Sequence, residues 1–567
     1  MTGAGGPSFA ARTNVARSTF LWGTACYFAV LIPLLLAGLR KTEGHLIYLI
    51  DDPAIHLSIA DTLATHGTWG VTAGEFQSAS SSPVWTLLLA LWVKVLPGAR
   101  DLAPLVLNIL AALAIVAILA RRPIALLPSR HRRLDPVGLL GLVGILAFLP
   151  ALTLLGMEHT LHGALVLALL ASTIHHRRVH VSIGLGRLAS VLLVIAVLTR
   201  FETLFLAVGL AVAHILCSTR LWSPDAAPDV RDRRRAIGRA AATMTITILP
   251  VLAFAFVNKA MGQGWLPNSV LAKGQAISGG GATFTPSEVL GRLARDPLLA
   301  GLLVSLLGLL ILTRGRTLHA AFPAVATVTA ILLHVTLADV GWFERYQSYL
   351  ILLALWTVLL ASTELLPAAD LPPARSIVVP LLLSTLLLLS GTKLDLTWKV
   401  PTGMSDTYLQ RYQAGRFFRQ FYAEQPIATG ELGYISLAHV GPITDLYGLA
   451  DYEVLQARRS QRQRPSNAYW EQLQHDRGFR VAALYPTTLF ETTPASWVLV
   501  GEWHIDRPVV TAWEPTFQFF ATDPDEVAPL EQHLREFEAE LPPGVRQTLN
   551  PLAGFRADAL KAERAES

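Results

Sequence analysis

Two adjacent carboxylates follow the first long apolar segment of the chain. The segment runs from about residue 21 to 39, and the sequence then reads Tyr48-Leu49-Ile50-Asp51-Asp52-Pro53. Carboxylates close to hydrocarbon are costly, so a pair at a membrane edge calls for an explanation. One explanation is proton abstraction from a substrate that arrives in the membrane. The alternatives are a helix N-cap and a solvated loop.

A histidine accompanies the acidic pair. The sequence after Pro53 is helical in pattern, which places His56 four residues from Asp52 on the same face. A nearby cation helps to hold the pKa of a general base near the working pH. The pattern predicts Asp51 and Asp52 as catalytic residues and His56 as a substrate-binding residue. A surface position for His56 stays open.

Ionisable and polar residues recur at the ends of later apolar segments. A third candidate catalytic residue is Glu158, in Gly156-Met157-Glu158-His159. Guanidinium and ammonium groups at such ends suit phosphate recognition. Each residue also has a simpler explanation, as a helix-start acid, an ion pair or a snorkelling cation. The further candidates for substrate binding are Arg200, Glu202, Asn268, Lys273, Arg345 and Tyr346.

Composition places these residues in a polytopic membrane protein. The chain has 567 residues, of which 52% are hydrophobic and 15% charged, whereas soluble domains carry about 25% charged residues. The net charge of +5 comes from short basic clusters between apolar segments, which indicate topology rather than nucleic-acid binding. The 2 cysteines give no support for a disulfide framework.

The basic clusters predict the topology. Arg12 and Arg17 place the N-terminus in the cytoplasm, and no cleavage site follows, so we expect a retained signal anchor. A shorter apolar stretch, 83–96, is predicted to lie at the outer face. We expect about eleven transmembrane helices, near 21–39, 102–120, 137–154, 160–174, 184–198, 203–217, 240–257, 298–313, 318–338, 346–363 and 376–391.

An odd number of spans places the tail and the candidate residues on one side of the membrane. The predicted organisation is a transmembrane catalytic module, 1–391, followed by an extracytoplasmic soluble α/β domain, 392–567. In that domain 481–485 and 497–500 read as buried strands and 406–423 as a helix. The candidate residues therefore predict one site at the outer face of the inner, cytoplasmic membrane.

Several motifs occur in an order that resembles the polytopic glycosyltransferases of the GT-C superfamily. The resemblance covers about 45–455 and is greatest to the actinobacterial terminal arabinofuranosyltransferases and related bacterial enzymes. Its motifs are Asp51-Asp52, Gly74-Glu75, Ser81-Ser82-Pro83-Val84-Trp85, Gly156-Met157-Glu158, Leu198-Thr199-Arg200, Leu266-Pro267-Asn268-Ser269-Val270 with Lys273, and Ile435 to Asp451.

The resemblance implies a membrane glycosyltransferase whose donor sugar is carried on a polyprenyl phosphate. Asp51 would be the general base of an inverting transfer to a cell-envelope glycan or lipid, with the leaving phosphate met by Lys273, Arg200 and Arg345. The sugar is open between arabinofuranose and another pentose or hexose, since Ile55, His56 and Ser58 depart from the family pattern.

The resemblance requires no cofactor, because phosphate is already a good leaving group. Mg²⁺ or Mn²⁺ on Asp51, Asp52 and Glu158 stays an alternative, since hard cations take carboxylate oxygens. Two other functions also remain: a secondary transporter for an anionic or sugar-like solute, and a membrane anchor for a glycan-binding domain. Charges at helix ends on one side and a sizeable outer domain favour the enzyme over the transporter, and an anchor would need fewer spans.

Overall fold

A computed structural model describes most of the chain. The described residues are 9–121, 148–176, 181–183, 186–218, 230–273, 285–313, 318–365, 389–461, 464–485, 487, 489 and 492–566. They form two compact units. The helical unit comprises Met1–Pro33, Leu105–Phe254 and Thr283–Trp398, and the mixed unit comprises Leu34–Pro104, Ala255–Ala282 and Lys399–Ser567.

The chain up to residue 365 is almost wholly helical where it is described. A two-stranded antiparallel pair, β1 (Ile174–His176) and β2 (Val181–Ile183), interrupts it. The helices are α1 (Phe9–Lys41), α2 (Asp52–His66), α3 (Pro83–Val95), α4 (Ala103–Arg121), α5 (Leu149–Leu155), α6 (His159–Thr173), α7 (Arg187–Thr199), α8 (Thr203–Leu216), α9 (Val230–Ala260), α10 (Asn268–Lys273), α11 (Pro286–Arg295), α12 (Pro297–Thr313), α13 (Leu318–Leu337) and α14 (Ser348–Leu365).

Prolines and glycines set several of these helix ends. Pro53 and Pro83 occupy the first turns of α2 and α3, where the missing N–H costs nothing. Gly67 ends α2 with φ 70° and Gly156 ends α5 with φ 77°, a left-handed conformation that glycine adopts without strain. The predicted helix after Pro53 and the predicted short helix at 83–96 are thereby confirmed as helices.

Apolar helices long enough to cross a bilayer occur in the described chain, so this is a membrane protein. Three qualify alone, Ala16–Lys41, Pro97–Arg121 and Arg233–Ala260, and the bent pair α11–α12 makes up to four. Most other predicted spans coincide with shorter helices. The stretches 137–147 and 376–388 lie outside the described residues, so the total of about eleven spans stays a prediction.

The rest of the described chain alternates helices and strands. The expected helix at 406–423 and both expected strands are confirmed. The elements are α15 (Gly391–Thr407), a π-helical turn (Tyr408–Tyr412), α16 (Gln413–Phe421), β3 (Ile427–Thr429), α17 (Gly433–Ala438), β4 (Ile443–Asp445), α18 (Tyr452–Ser460), α19 (Asn467–Arg477), β5 (Val481–Leu484), β6 (Val498–Ile505), β7 (Thr516–Ala521), α20 (Val527–Phe537), β8 (Val545–Leu549) and α21 (Ala553–Glu566).

Six of these strands form one mixed sheet in the order β4-β3-β5-β7-β6-β8. β3 pairs in parallel with β4 and β5, whereas the remaining neighbours pair antiparallel. Phe417 of α16 lies 5.3 Å from Phe519 and 6.0 Å from Trp503, ring centre to ring centre, and both pairs have edge-to-face geometry. These buried aromatic rings hold α16 on the sheet. The boundary at residue 392 and the outer location of this domain stay predictions.

Candidate functional site

Asp51 is buried in the mixed unit and holds the start of α17. Its Oδ2 accepts the Gly433 N–H at 2.6 Å and its Oδ1 accepts the Tyr434 N–H at 3.0 Å. A Cβ added to Gly433 would lie 2.3 Å from the Asp51 carbonyl oxygen and 2.5 Å from Oδ1. Only glycine at 433 therefore lets this carboxylate come so close. Asp51 occupies the N-cap position of α2, but its side chain makes no capping hydrogen bond there, so the N-cap alternative is wrong for the helix that follows it. The carboxylate instead accepts two backbone N–H groups at the start of a helix far away in sequence.

A buried ion pair accompanies Asp51. The Arg411 Nε donates to Glu431 Oε2 at 2.5 Å, and both side chains are less than a tenth exposed. Burial raises the pKa of Asp51, while Arg411 and the two backbone N–H groups oppose the rise. Burial likewise raises the pKa of Glu431, to about 7 after the opposing attraction of Arg411, and the charge of Asp51 adds to the rise. This cluster therefore combines two carboxylates of raised pKa with one guanidinium.

Asp52 and His56 lie on α2, as the sequence predicted. Asp52 is half-buried at the first position of the helix. The His56 Nδ1 lies 3.2 Å from Ser80 Oγ and 3.4 Å from Thr86 Oγ1, and these two hydroxyls are 2.9 Å apart. The surface alternative for His56 is wrong, because the residue is only 6% exposed. Its predicted substrate contact stays a prediction.

Glu158, Arg200 and Glu202 come together in the helical unit. Arg200 donates from Nη1 to Glu158 and from Nη2 to Glu202, and its Nη1 also lies 2.7 Å from His159 Nε2. Glu158 is 1% exposed. The ion-pair alternative for Arg200 is therefore confirmed, and the pair extends to a second carboxylate. Phosphate binding by Arg200 stays a prediction.

Arg345 and Tyr346 follow a left-handed turn of the helical unit. Gly341, Trp342, Phe343 and Glu344 have φ of 114°, 50°, 58° and 64°. The Arg345 Nη2 then donates to the Tyr346 hydroxyl at 3.0 Å, and its guanidinium carbon lies 4.9 Å from the ring centre. Consecutive non-glycine residues with left-handed backbone conformations store strain, and such strain is found at functional sites more than elsewhere.

A buried lysine holds this turn. The Lys393 Nζ donates to Asp296 Oδ2 at 2.8 Å and to Glu344, and no part of the Lys393 side chain is exposed. The Gln347 Nε2 donates to Asp296 Oδ2 at 2.9 Å and to Glu344 Oε2 at 2.5 Å. Its Oε1 accepts the Gly341 N–H at 2.9 Å. One network thus fixes both ends of the left-handed turn.

Asn268 and Lys273 bound the short helix α10. Asn268 is fully buried; its N–H donates to the Ser78 carbonyl at 2.9 Å and its Nδ2 to Gln263 Oε1 at 3.4 Å. The bond to Ser78 anchors the loop before α10 to the segment after α2, and the bond to Gln263 lies within that loop. The side chain of Lys273 lies outside what the structure describes.

Sequence reasoning missed the partners of Asp51. Arg411 lies in a predicted helix, and nothing in the local sequence indicated a functional role for it. Glu431 could have been noticed, because it is an acid between two glycines in Gly430-Glu431-Leu432-Gly433. No local pattern indicated the contact of Lys393 with Asp296 and Glu344, because the three residues lie far apart in sequence. Among the described residues, no group of three or more His, Cys, Asp or Glu side chains has an arrangement that could hold a metal ion. Metal dependence stays a prediction.

The structure has a GT-C-like fold. ArnT from Cupriavidus metallidurans, solved bound to undecaprenyl phosphate, superposes with a TM-score of 0.50 at 12% identity, covering 87% of this chain and 97% of that one. The archaeal oligosaccharyltransferase AglB from Archaeoglobus fulgidus, solved with an inhibitory peptide and a dolichol-phosphate, superposes at 0.43 with 11% identity, covering 94% and 77%. The fold assignment rests on the ArnT comparison.

Comparison at the level of sequence gives less. Residues 403–522 match the family model DUF8728, a domain of unknown function. No curated protein matches the sequence. The matched segment contains Arg411, Glu431 and Gly433, so the residues around Asp51 fall within it.

Proposed function

We propose that the protein is a membrane glycosyltransferase that uses a polyprenyl-phosphate sugar as donor. The observation that carries the proposal is the GT-C-like fold, shared over nearly the whole length of a protein solved with undecaprenyl phosphate. The acceptor would be a cell-envelope glycan or lipid at the outer face of the inner membrane. An arabinofuranosyl donor remains part of the proposal because of the motif resemblance alone.

Asp51 is the proposed general base. It takes the proton of an acceptor hydroxyl while that oxygen bonds to the anomeric carbon, and the bond from this carbon to the phosphate oxygen breaks on the opposite face. The configuration inverts, and polyprenyl phosphate leaves with the bond electrons. Burial supports the role, since it raises the pKa of Asp51 and so makes the ionised form a stronger base.

Two cations of the mixed unit support the same chemistry. Arg411 attracts the ionised form of Asp51 and so opposes the rise that burial causes in its pKa. Lys273, at the end of α10, is the proposed partner of the leaving phosphate. The proposed roles of Glu158, Arg200, Glu202, Arg345 and Tyr346 in substrate binding rest on their sequence pattern.

Replacing Asp51 by asparagine tests the proposal. Transfer from a labelled polyprenyl-phosphate sugar by purified protein in nanodiscs should fall at least about 10²-fold, as expected for a positioned base. In cells the same variant should accumulate the lipid-linked sugar and lose one residue from a surface glycan, both read by mass spectrometry. Retention of more than about a tenth of the transfer rate would contradict the assignment of the base.

Asp445→Asn is the matched control. Asp445 is also a buried aspartate of the mixed unit that accepts two backbone N–H groups, those of Tyr447 and Ala450, each at 2.8 Å. Burial raises its pKa as well, to about 6. Because this variant reproduces the loss of a buried carboxylate that accepts two backbone N–H groups, without touching Asp51, it should keep most of its transfer activity. Equal losses in both variants would reduce Asp51 to a structural residue.

A further inference from the structure

A groove in the mixed unit is lined by none of the candidate catalytic or substrate-binding residues named above. It has a volume of about 450 Å³ and is lined by Gly264, Trp265, Leu266 and Leu271 on one side and by Tyr452, Gln456, Arg459 and Ser460 of α18 on the other. That volume is in the range of small-ligand sites. The first side presents apolar and aromatic groups, whereas the α18 side presents the Tyr452 ring together with amide, guanidinium and hydroxyl groups.

Both walls are held in place without a ligand. The Gln263 Nε2 donates to the Phe76 carbonyl at 3.3 Å and the Asn268 N–H to the Ser78 carbonyl at 2.9 Å, which fixes the loop that carries Trp265. Asp451 caps α18 through the Val454 N–H at 3.1 Å. The Arg458 guanidinium donates to the Tyr447 carbonyl at 2.7 Å and fixes the other end of α18. The groove is therefore preformed, as binding sites usually are.

The aromatic side chains are available to a ligand. Trp265 is 54% exposed, and its ring meets the Phe256 ring edge-to-face at 5.3 Å, which restrains it. Tyr452 is half-buried. Gly264 forms the floor between them, since an added Cβ would lie 3.0 Å from Tyr452 Cε2 and 3.3 Å from Leu271 Cδ1.

We propose that this groove binds a carbohydrate chain, the glycan acceptor of the proposed transfer. A sugar ring has an apolar C–H face and a rim of hydroxyls. The apolar faces of the rings in the chain would pack on Trp265 on one side and on Tyr452 on the other, and the hydroxyls would bond with Gln456, Arg459 and Ser460, which supply both donors and acceptors. A polyprenyl chain would not use the polar wall, so the two-sided lining favours a sugar. The acceptor role rests on the proposed function, whereas carbohydrate binding does not.

Direct binding to full-length protein in nanodiscs tests the groove. The probes are a 1,5-linked arabinofuranose hexasaccharide and maltohexaose, with affinity read by calorimetry and contacts by saturation-transfer NMR. We expect wild type to bind at least one probe and Trp265→Ala and Tyr452→Ala each to weaken that binding roughly three- to tenfold. Gly264→Ala, which narrows the floor and keeps both aromatic rings, should also weaken it.

Trp513→Ala is the matched control, because Trp513 is 50% exposed in the same unit but does not line the groove. It should bind like wild type, and all variants should melt within a few degrees of one another. A wild-type protein that binds neither probe, or groove variants that bind like wild type, would overturn the proposal. So would weakened binding of undecaprenyl phosphate with unchanged oligosaccharide binding, which would make the groove a lipid site.

One further variant separates this proposal from the proposed function. Asp51→Asn should bind the oligosaccharide like wild type while losing transfer. If wild type binds the oligosaccharide but transfers no sugar from any polyprenyl-phosphate donor, the proposed function is wrong and carbohydrate binding by the groove is retained. If Asp51→Asn loses transfer but the groove variants bind and react like wild type, carbohydrate binding by the groove is wrong and the proposed function is retained.

Discussion

Glu431 is a buried residue of the mixed unit whose ionisation is coupled to folding near neutral pH. Burial raises its pKa from 4.5 to about 7, even against the attraction of Arg411. Between these two values the folded protein holds a proton that the unfolded chain has released. The protonated form therefore stabilises the fold, and this contribution is lost as the pH rises through the window.

We predict that stability falls from pH 5 to pH 7.5, by up to about 1.4 kcal/mol per pH unit for this one group. Glu431→Gln mimics the protonated acid and should flatten the slope. The raised pKa of Asp51 acts in the same direction, so part of the slope should remain. Melting temperature in detergent, measured against pH for both proteins, checks this. Parallel curves for wild type and variant would show that Glu431 does not titrate in the window.

At the scale of the element, the left-handed turn 341–344 depends on the network around Lys393. Three consecutive non-glycine residues have positive φ there, at a cost of roughly 1–2 kcal/mol each. The buried ammonium of Lys393 holds Glu344 at the end of the turn and Asp296 before α12. Without the lysine, two buried carboxylates would repel each other beside a strained backbone.

Lys393→Met should therefore destabilise the protein by about 3–5 kcal/mol, as removal of one member of a buried ion cluster does. Adding Glu344→Gln removes one unpaired charge and should restore at least about 1 kcal/mol. Unfolding in detergent by heat and denaturant measures the cycle, with Lys399→Met as a lysine control on the same helix, α15. Strictly additive losses in the double variant would show that the two side chains do not interact.

At the scale of the whole molecule, the charge pattern predicts which side of the membrane the tail occupies. In a protein with Cys26 and Cys217 replaced by alanine, Val440→Cys should react with a membrane-impermeant maleimide on intact cells, since Val440 is 74% exposed. Arg234→Cys lies in the basic stretch between the predicted spans 203–217 and 240–257, which the charge pattern places in the cytoplasm, and should react only after permeabilisation. The reverse pattern would overturn the topology and place the proposed site in the cytoplasm.

Local sequence pattern was sufficient for most of the apolar helices, for the helix at 406–423 and for two strands of the mixed sheet. Long apolar runs, first-turn prolines such as Pro53 and Pro83, and the glycines that follow α2 and α5 mark element ends through backbone geometry alone. The alternation from apolar helices to a mixed helix-and-strand tail followed from composition. The acidic pair stood out because charge next to an apolar segment is costly. These features act over a few residues and are therefore legible in sequence.

The partners of those residues depended on the tertiary structure. Asp51 caps a helix that begins at Gly433, and Arg411 meets Glu431 beside it; Lys393 joins Asp296 and Glu344. Arg200 looked equally suited to a phosphate or to carboxylates until its neighbours were known. Hydrogen bonds and ion pairs act through space over a few ångströms, and chain folding alone decides which distant residues come that close. The sequence by itself thus determined many of the secondary-structure elements and showed which charged residues lie close to apolar segments. The tertiary structure determined which distant groups pair with those charges.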